Sequence, residues 1–307
     1  MKKILLLVLY FCTQSGISQA SKASLIVLGT VQDGGSPHIG CKKQCCAALF
    51  TDPDPTRKVV SLGLVDHEYQ KTFVLDASPD FTTQLKLLQG HTQEEQKAPD
   101  GILLTHAHIG HYTGLMYLGR EALGGKNIPV YAMPKMKHFL ETNGPWSQLV
   151  SLNNIGLVQM KADEEIELTP NLRVQPFIVP HRGEYSETVG FKIIGLEKSI
   201  LFIPDIDKWH LWEKSIIDEL KKVDVAFLDA TFYDGNEVDN RDIAEIPHPF
   251  VIESLALFKD LSMEERNKIH FIHLNHTNPL LNHASEAAKE VLAKGFQIAQ
   301  FKSTFKL

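Results

Sequence analysis

The sequence feature that most constrains the fold is a histidine-rich turn at Leu103–His111. An apolar strand is predicted to end there, three histidines follow within six residues, and a helix is predicted to begin directly afterwards. His106 and His108 are two residues apart in extended backbone, so they point to the same side. His111 lies on the first helical turn and can face that pair. Because zinc takes neutral nitrogen ligands in tetrahedral sets, the segment predicts a metal site.

A metal-ligand type of side chain also follows three other apolar strands. These side chains are His181, Asp205 and His273. A polar or charged group at a buried strand end is costly unless it has a partner. Taken singly, each has an ordinary structural explanation, such as an aspartate in a turn or a histidine bonded to the backbone. Taken together, the four strand ends predict one shared site built from segments that are distant in sequence.

Short apolar runs alternate with amphipathic segments along most of the 307 residues. We predict one domain over residues 21–307, of the α/β (α+β) class, with two packed sheets flanked by helices. Trp209, Trp212, Ile216 and Leu220 share one face at helical spacing, which predicts core residues rather than a ligand platform. The predicted helices are Phe81–Leu88, His111–Leu123, Lys135–Thr142, Lys208–Lys222, Ile252–Phe258 and Ala284–Ala293.

The charge balance excludes some classes of function. Lys and Arg total 31 against 37 Asp and Glu, which gives a formal net charge of -6. Without a basic excess to neutralise phosphates, we expect no nucleic-acid partner. After the N-terminal segment, no apolar stretch is long enough for a membrane span.

The first twenty residues have the pattern of a secretory signal peptide. The basic start Met1–Lys3 precedes an apolar run, Ile4–Cys12, and a polar segment that ends in small residues at Ala20. The run is shorter than the ~20 apolar residues of a bilayer span. A lipid anchor at Cys12 is the alternative, but large aromatic side chains precede it where small ones are expected. We therefore expect cleavage near Ala20 and an exported protein, periplasmic or secreted.

Several motifs resemble those of the metallo-β-lactamase superfamily, whose metal motif is His-x-His-x-Asp-His followed by a histidine, a bridging aspartate and a last histidine. The resemblance covers nearly all of residues 24–301. Within the superfamily, the flanking motifs are most similar to the pyrroloquinoline quinone biosynthesis protein B group. These motifs are Val27–Thr30 with Gln32–Gly35, Val179–Arg182 with Ser186–Gly190, Asp229–Tyr233, and His273–Pro279.

The resemblance implies a four-layer αββα sandwich with a metal site along one edge of the two sheets. It also implies a ligand set. Metal 1 would be held by His106, His108 and His181. Metal 2 would be held by His111, Asp205 and His273, with Asp205 also reaching metal 1.

One position departs from the superfamily motif. Gly110 stands where the motif has aspartate, so Asp205 is the only anionic side chain among the implied ligands. We therefore expect one tightly bound zinc and a weaker second site, which could instead take iron or manganese. Asp33 in the glycine-rich loop and Asp207 are the candidates for a substitute carboxylate. The missing aspartate is also compatible with a protein that binds a ligand without fast turnover.

Three cysteines lie close together in the part expected to be mature. Two of them could pair as a disulfide, although only a very small loop would close. The segment also resembles that of the phosphonate-pathway cyclic phosphodiesterases, where cysteines and a histidine three residues after the last active-site histidine bind a structural zinc. Lys43 occupies the middle position of that Cys-x-Cys-x-x-Cys pattern, and His248 is a second candidate histidine. The implied ligands are Cys41, Cys45, Cys46 and His276.

The expected chemistry is hydrolysis by a zinc-activated hydroxide. Zinc lowers the pKa of bound water from about 15.7 to about 7, and the hydroxide would attack a phosphoryl or carbonyl centre. Asp205 would orient the nucleophile, while Arg182 and the Asp33–Gly35 loop could meet an anionic, small-molecule substrate. The candidates for protonating the leaving group are His276, His248 and Tyr185.

Three functions stay open at this point. The first is an exported hydrolase of phosphodiesters or related esters, by analogy with the resembling families. The second is a metal-dependent oxygenase or accessory protein like the quinone-biosynthesis group, against which the expected export argues. The third is a secreted protein that binds a metal or ligand without catalysis.

Overall fold

Two seven-stranded sheets carry most of the chain in the computed structural model, which describes residues 21–93, 97–237 and 245–307. The predicted signal peptide, residues 1–20, lies outside the described residues. The first sheet contains β1 (Ala23–Gly29), β2 (Ser61–Asp66), β3 (Lys71–Leu75), β4 (Gly101–Leu103), β5 (Ile128–Ala132), β6 (Ile155–Gln159) and β14 (Thr304–Lys306). The second contains β7 (Ile166–Thr169), β8 (Leu172–Ile178), β9 (Val189–Ile194), β10 (Ser199–Ile203), β11 (Val225–Asp229), β12 (Ile269–Ile272) and β13 (Gln297–Ile298).

The order of the strands within each sheet shows that the two ends of the described chain lie side by side. The first sheet has the order β14-β1-β2-β3-β4-β5-β6, and the second has the order β13-β12-β11-β10-β9-β8-β7. The N-terminal half of the chain thus forms the first sheet, and the last strand returns to it by pairing antiparallel with β1.

Helices cover the outer faces of both sheets. The helices are α1 (Gln44–Ala47), α2 (Phe81–Gln89), α3 (Ile109–Tyr112), α4 (Pro134–Thr142), α5 (Trp146–Ser151), α6 (Ile216–Leu220), α7 (Val251–Leu257), α8 (Met263–Asn267) and α9 (Glu286–Ala293). Serine side chains cap α6, α8 and α9 by accepting a backbone N–H of the first turn. None of the helices in the described part of the chain has the length and apolar character that a bilayer crossing requires.

The strand side chains alternate between two apolar layers, which explains the sandwich. In β1, Leu25 and Val27 face the other sheet, whereas Ile26 and Leu28 face the helices. The layer between the sheets includes fully buried phenylalanines from the second sheet, at Phe191, Phe202 and Phe227. Truncating one such side chain to alanine costs about 3–5 kcal/mol of folding free energy. The predicted four-layer αββα arrangement is therefore confirmed.

Parallel pairing brings the polar strand ends to one edge. Strands β3 to β6 run parallel in the first sheet, and β10 to β13 run parallel in the second. The carboxyl ends of parallel strands meet at the same edge of a sheet, where open α/β proteins bind ligands. The side chains that end or follow these strands are Asp76, Thr105, His106, Asp205, Asp229 and His273.

Two helix predictions were wrong in extent. Lys208–Lys222 is not one helix but a short 3-10 turn, Trp209–Leu211, followed by α6. The chain is extended at Trp212 and Ser215 caps a new helix, because the two indole N–H groups donate to partners elsewhere: Ser254 Oγ for Trp209 and the Ile178 carbonyl for Trp212. Both tryptophans are buried, as predicted.

The predicted helix His111–Leu123 is also shorter. It consists of α3 and a 3-10 segment, Thr113–Leu118. Gly114 packs its backbone onto the turn after β3, since its N–H donates to the Ala77 carbonyl and an added Cβ would lie 2.2 Å from the Ser78 carbonyl oxygen. This close contact leaves no room for a regular helix with side chains.

Candidate metal centre

Four side chains of the types that bind metals meet where the strands end, and we call them the first group of a candidate metal centre. One donor atom from each of His106, His108, His181 and Asp205 lies within 4.8 Å of the others. His106 Nε2 is 2.8 Å from His108 Nδ1 and 3.2 Å from Asp205 Oδ2, while His181 Nε2 is 3.2 Å from Asp205 Oδ1. Tetrahedral zinc with bonds to nitrogen of about 2.1 Å separates its ligand atoms by about 3.4 Å. The spacing and the chemistry of this donor set therefore fit zinc.

A second group adjoins the first and consists of Asp33, His111 and His273. Asp33 Oδ1 lies 2.9 Å from His111 Nε2 and 3.3 Å from His273 Nε2. Asp205 Oδ2 lies 4.0 Å from His111 Nε2 and 3.9 Å from His273 Nε2. Asp205 thus lies between the two groups, in the bridging position that the resemblance implies.

Hydrogen bonds on the outer side of the histidines fix the ring orientations. His111 Nδ1 is 2.7 Å from Asp76 Oδ2, and His181 Nδ1 is 3.0 Å from Asp207 Oδ1. Nδ1 of His106 and of His273 bonds a threonine hydroxyl, that of Thr105 at 2.9 Å and that of Thr231 at 2.8 Å. Such partners fix the tautomer and aim the other ring nitrogen inward, as they do in metal sites.

Several inward-facing atoms have no hydrogen-bond partner. Among the described residues, Nε2 of His111, Nε2 of His181 and Oδ1 of Asp205 are buried and unpaired. These atoms lie within salt-bridge distance of one another or of Asp33, but they are not aligned as hydrogen bonds. Buried polar groups are rarely left unpaired, so the convergence indicates a cation site.

The pKa shifts of the ionisable groups in the centre also fit a cation site. Burial alone would raise the pKa of Asp205, but His248, His181 and His273 hold it well below its ordinary value. Burial, with a contribution from His111, lowers the pKa of His106 well below its usual range. Burial also opposes protonation of His111, yet the carboxylates beside it raise its pKa well above the ordinary value. The carboxylates therefore favour positive charge beside His111, whereas His106 stays neutral, the form in which a histidine binds a metal ion.

Asp33 occupies the space that the motif aspartate would need. A Cβ added at Gly110 would lie 2.3 Å from Asp33 Oδ1 and 2.7 Å from Asp33 Cα. Of the two substitute carboxylates predicted, the structure brings Asp33 to the second group. Asp207 instead lies behind His181, on the side away from the cluster.

The cysteines form a separate, partly exposed cluster with His276. The four donor atoms lie within 4.8 Å of one another, with Cys45 Sγ 3.9 Å from both Cys41 Sγ and Cys46 Sγ. These cysteines are free thiols, so the disulfide alternative is not what the structure contains. Tetrahedral zinc with bonds to sulfur of about 2.3 Å separates its sulfurs by about 3.8 Å. The cluster therefore fits a structural zinc ion.

The structure separates the candidate proton donors. His276 was the first candidate, but it contacts the cysteines, Asn275 and the ring of His38. Burial and the nearby His38 lower its pKa to about 4, so its charged, acidic form is not present at neutral pH. The interpretation of His276 as a donor is therefore corrected. Tyr185 is exposed and stacks on Phe139.

His248 is the candidate that does lie in the centre. Its Nδ1 is 3.1 Å from Asp205 Oδ1 and 2.9 Å from Asp229 Oδ2, and its ring lies 5.3 Å from that of His181. Burial lowers its pKa, but Asp229 and Asp205 overcome this and raise the pKa well above its ordinary value.

Sequence reasoning missed two buried carboxylates that support the centre. Asp76 holds His111, and Asp229 accepts from the Thr231 hydroxyl and lies beside His248. Each ends or directly follows a parallel strand. The same strand-end signal that identified Asp205 was therefore available for both.

A two-sheet sandwich with a histidine- and aspartate-lined edge defines the metallo-β-lactamase fold. The family model described as the Beta-lactamase superfamily domain matches residues 71–274. The chain therefore belongs to the metallo-β-lactamase superfamily.

The chain is similar to two groups of known proteins. It is 26% identical to Coenzyme PQQ synthesis protein B of Methylorubrum populi, an alignment that covers 90% of this chain and 97% of that protein. The crystal structure of zinc-bound PqqB from Methylobacterium extorquens superposes with a TM-score of 0.74 at 23% identity and covers 92% of this chain and 100% of that chain. A diphosphatase from the PhnP family superposes with a TM-score of 0.62 at 23% identity and covers 92% and 96%. The chain is thus PqqB-like in sequence and shares its fold with known metallohydrolases.

Proposed function

We propose that this chain is a metal-dependent hydrolase that cleaves phosphodiesters or related esters with zinc at the first group. The observation that supports this most is the buried convergence of His106 Nε2, His108 Nδ1 and His181 Nε2 beside Asp205. If Asp205, which lies between the two groups, binds the second ion, the three histidine nitrogens leave a fourth position at the first for water or substrate, as in catalytic rather than structural zinc sites. When bound, zinc supplies a water with a pKa near 7 and polarises a substrate oxygen.

The chain's own residues would orient the nucleophile and deliver a proton. Asp205 Oδ1 makes no aligned hydrogen bond, although His181 Nε2 and His248 Nδ1 lie 3.2 Å and 3.1 Å from it, and it would accept from an attacking water. His248, clamped between Asp205 and Asp229, is the proposed proton donor to the leaving group because those carboxylates keep its pKa high.

A cleft near the centre has the size for a small-molecule substrate. Its volume is about 520 Å³, and Glu184 connects it to the centre, since Oε2 lies 3.8 Å from His108 Nε2. Lys135 and His138 are the basic groups of the lining, and stacked Phe139 and Tyr185 supply an aromatic wall. This lining suits an ester with an aromatic or otherwise apolar leaving group.

Hydrolysis of bis(p-nitrophenyl) phosphate and p-nitrophenyl acetate by the zinc-loaded protein tests the function. His106→Ala and His108→Ala should lower the rate by about 1000-fold or more, since the metal contributes several kcal/mol to transition-state stabilisation. The matched control is His210→Ala, an exposed histidine on the 3-10 turn, which should leave the rate unchanged. Equal rates in the His106 variant and the unaltered protein would discard the hydrolase.

The role of His248 has its own test, which uses a series of leaving groups. His248→Gln should slow hydrolysis of aryl alkyl phosphodiesters with basic leaving groups by about 100-fold or more. Esters of p-nitrophenol need little protonation and should be affected much less. A uniform loss across the series would assign His248 to structure instead of proton transfer.

The likeness to the PQQ synthesis proteins favours a second candidate, a metal-dependent oxygen reaction. Oxygen consumption by the iron-loaded protein would support it, and zinc-dependent hydrolysis without oxygen uptake would exclude it. A third outcome, tight metal binding with neither activity, would identify a binding protein.

Export is also part of the proposal. Fractionation of cells that produce the full chain, with N-terminal sequencing, should place the protein outside the cytoplasm with Ser21 as its first residue. A cytoplasmic protein that begins at Met1 would contradict export and leave the metal chemistry unaffected.

A further inference from the structure

The second group obtains its carboxylate from a distant loop. Asp33 lies after β1, whereas the superfamily motif that it would complete spans residues 106–111. Its Oδ1 is 2.9 Å from His111 Nε2 and 3.3 Å from His273 Nε2, and its side chain is only 11% exposed. Asp33 Oδ1 is hydrogen-bonded to His273 Nε2, whereas His111 Nε2 has no hydrogen-bond partner although it faces the same carboxylate oxygen.

Gly110 is explained by space and not by backbone conformation. It lies in helix α3, and its φ is outside the left-handed region that favours glycine. A side chain there would overlap Asp33, because a Cβ would lie 2.3 Å from Asp33 Oδ1 and 2.7 Å from Asp33 Cγ. The added Cβ would also lie 2.7 Å from Asp33 Cα, so glycine at 110 makes room for the loop that carries Asp33.

The loop that carries Asp33 is tied to the segment that carries His273. The Gln32 N–H donates to the Leu274 carbonyl at 2.9 Å, and the Leu274 N–H donates to the Thr30 carbonyl at 2.8 Å. Val31 bridges both Leu274 and Val59. The position of Asp33 relative to His273 is thus fixed by backbone hydrogen bonds, which a ligand needs for preorganised binding.

We propose that Asp33 is the carboxylate ligand of a second metal ion, together with His111, His273 and Asp205, and that Gly110 is small in order to admit it. The ligand set then has two carboxylates, as the superfamily motif would give, with one of them supplied from a different part of the chain. The inference rests on the proposed metal centre and is independent of the reaction catalysed. Since the ligand lies on a loop, the second ion should still be the first that a chelator removes.

Metal content measured by mass spectrometry on zinc-loaded, desalted protein tests this. Asp33→Ala should contain one zinc fewer per chain than the unaltered protein, and Asp33→Asn gives the same test with the loop shape preserved. Gly110→Ala should also lose one ion, because the added methyl group displaces Asp33.

The exposed Asp52→Ala is the matched control and should retain the full zinc content. An unchanged zinc content in both Asp33 variants would overturn the assignment. A centre without any ion in the unaltered protein would overturn the metal centre itself. Because activity is not the readout, failure of the hydrolase proposal would be seen separately.

Discussion

The histidine–aspartate centre and the cysteine cluster differ in how much of the chain must fold before their ligand atoms meet. The centre draws on segments from Asp33 to His273 and is mostly buried, with an outer set of carboxylates and hydroxyls behind its histidines. The cysteine cluster draws three of its four residues from Cys41–Cys46 and is partly exposed. The centre therefore forms only when most of the chain has folded, whereas the cysteine cluster is local in sequence except for one distant histidine.

The two clusters share one element. His273 and His276 both follow β12, so the strand that ends in the centre also leads to the cysteines. We expect a metal at the cysteines to fix the loop after β12 and a metal at the centre to carry the chemistry. Removing one metal should therefore have a different consequence from removing the other.

The largest expected effect comes from Asp205→Ala, which removes the bridging carboxylate. The centre should lose its metal and the hydrolysis rate should fall by about 1000-fold or more, while the cysteine-bound zinc stays. Metal analysis alongside the rate checks both parts. Loss of every zinc ion would mean that the two clusters are not independent.

A smaller effect is expected from Asp76→Asn, which weakens the outer support of His111. Losing such a partner costs about 10–100-fold in metal affinity or activity. Competition with a fluorescent chelator measures the affinity. The exposed Asp218→Asn serves as the control. An equal effect of both substitutions would contradict the claim that Asp76 supports metal binding through His111.

Cys45→Ser should have the opposite consequence to Asp205→Ala, because it should lower stability and leave the hydrolysis rate nearly unchanged. It should remove one zinc and lower the thermal midpoint by about 5 °C or more, because structural zinc contributes directly to folding. Hydrolysis at 25 °C should change by less than about twofold, since the centre keeps its ligands. A loss of activity as large as that of Asp205→Ala would show that the cysteines belong to the catalytic site.

The smallest expected effect is on the pH dependence of stability, and it comes from His270 in β12. Burial lowers the pKa of His270 to about 4, whereas its ordinary value is 6.5. The unfolded chain thus binds a proton at higher pH than the folded one, so stability is lost as the pH falls from about 6.5 towards 4. His270→Phe should remove up to about 2 kcal/mol of this loss, measured by urea unfolding at pH 7 and pH 4.5. Identical pH dependence in both proteins would contradict the shift.

The sequence was most informative about the candidate site residues that directly follow predicted strands. His106, His181, Asp205 and His273 all follow apolar runs. Parallel pairing brings His106, Asp205 and His273 to one edge, and His181 joins them because β8 and β10 both pair antiparallel with β9 and so run in the same direction. Loop positions carry no such rule. Asp33 and Asp207 were equal candidates, because the choice depends on the pairing of Val31 with Leu274.

Long-range partners also explain the errors in secondary structure. The helical periodicity of Trp209 to Leu220 is real, but Ser254 and the Ile178 carbonyl bind the two indoles and interrupt the helix. Strand β14 pairs with β1, which lies at the opposite end of the described chain, so no local pattern indicates it. His276 was both a proton-donor candidate and an implied ligand with the cysteines, and its side chain lies with the cysteines.

The most direct measurement is anomalous diffraction at the zinc edge from crystals of the zinc-loaded protein. Two peaks should lie at the sheet edge, one among His106, His108 and His181 and the other among Asp33, His111 and His273, with Asp205 between them. Zinc found only at the cysteines, or an edge without anomalous signal, would contradict the metal centre and the hydrolysis built on it.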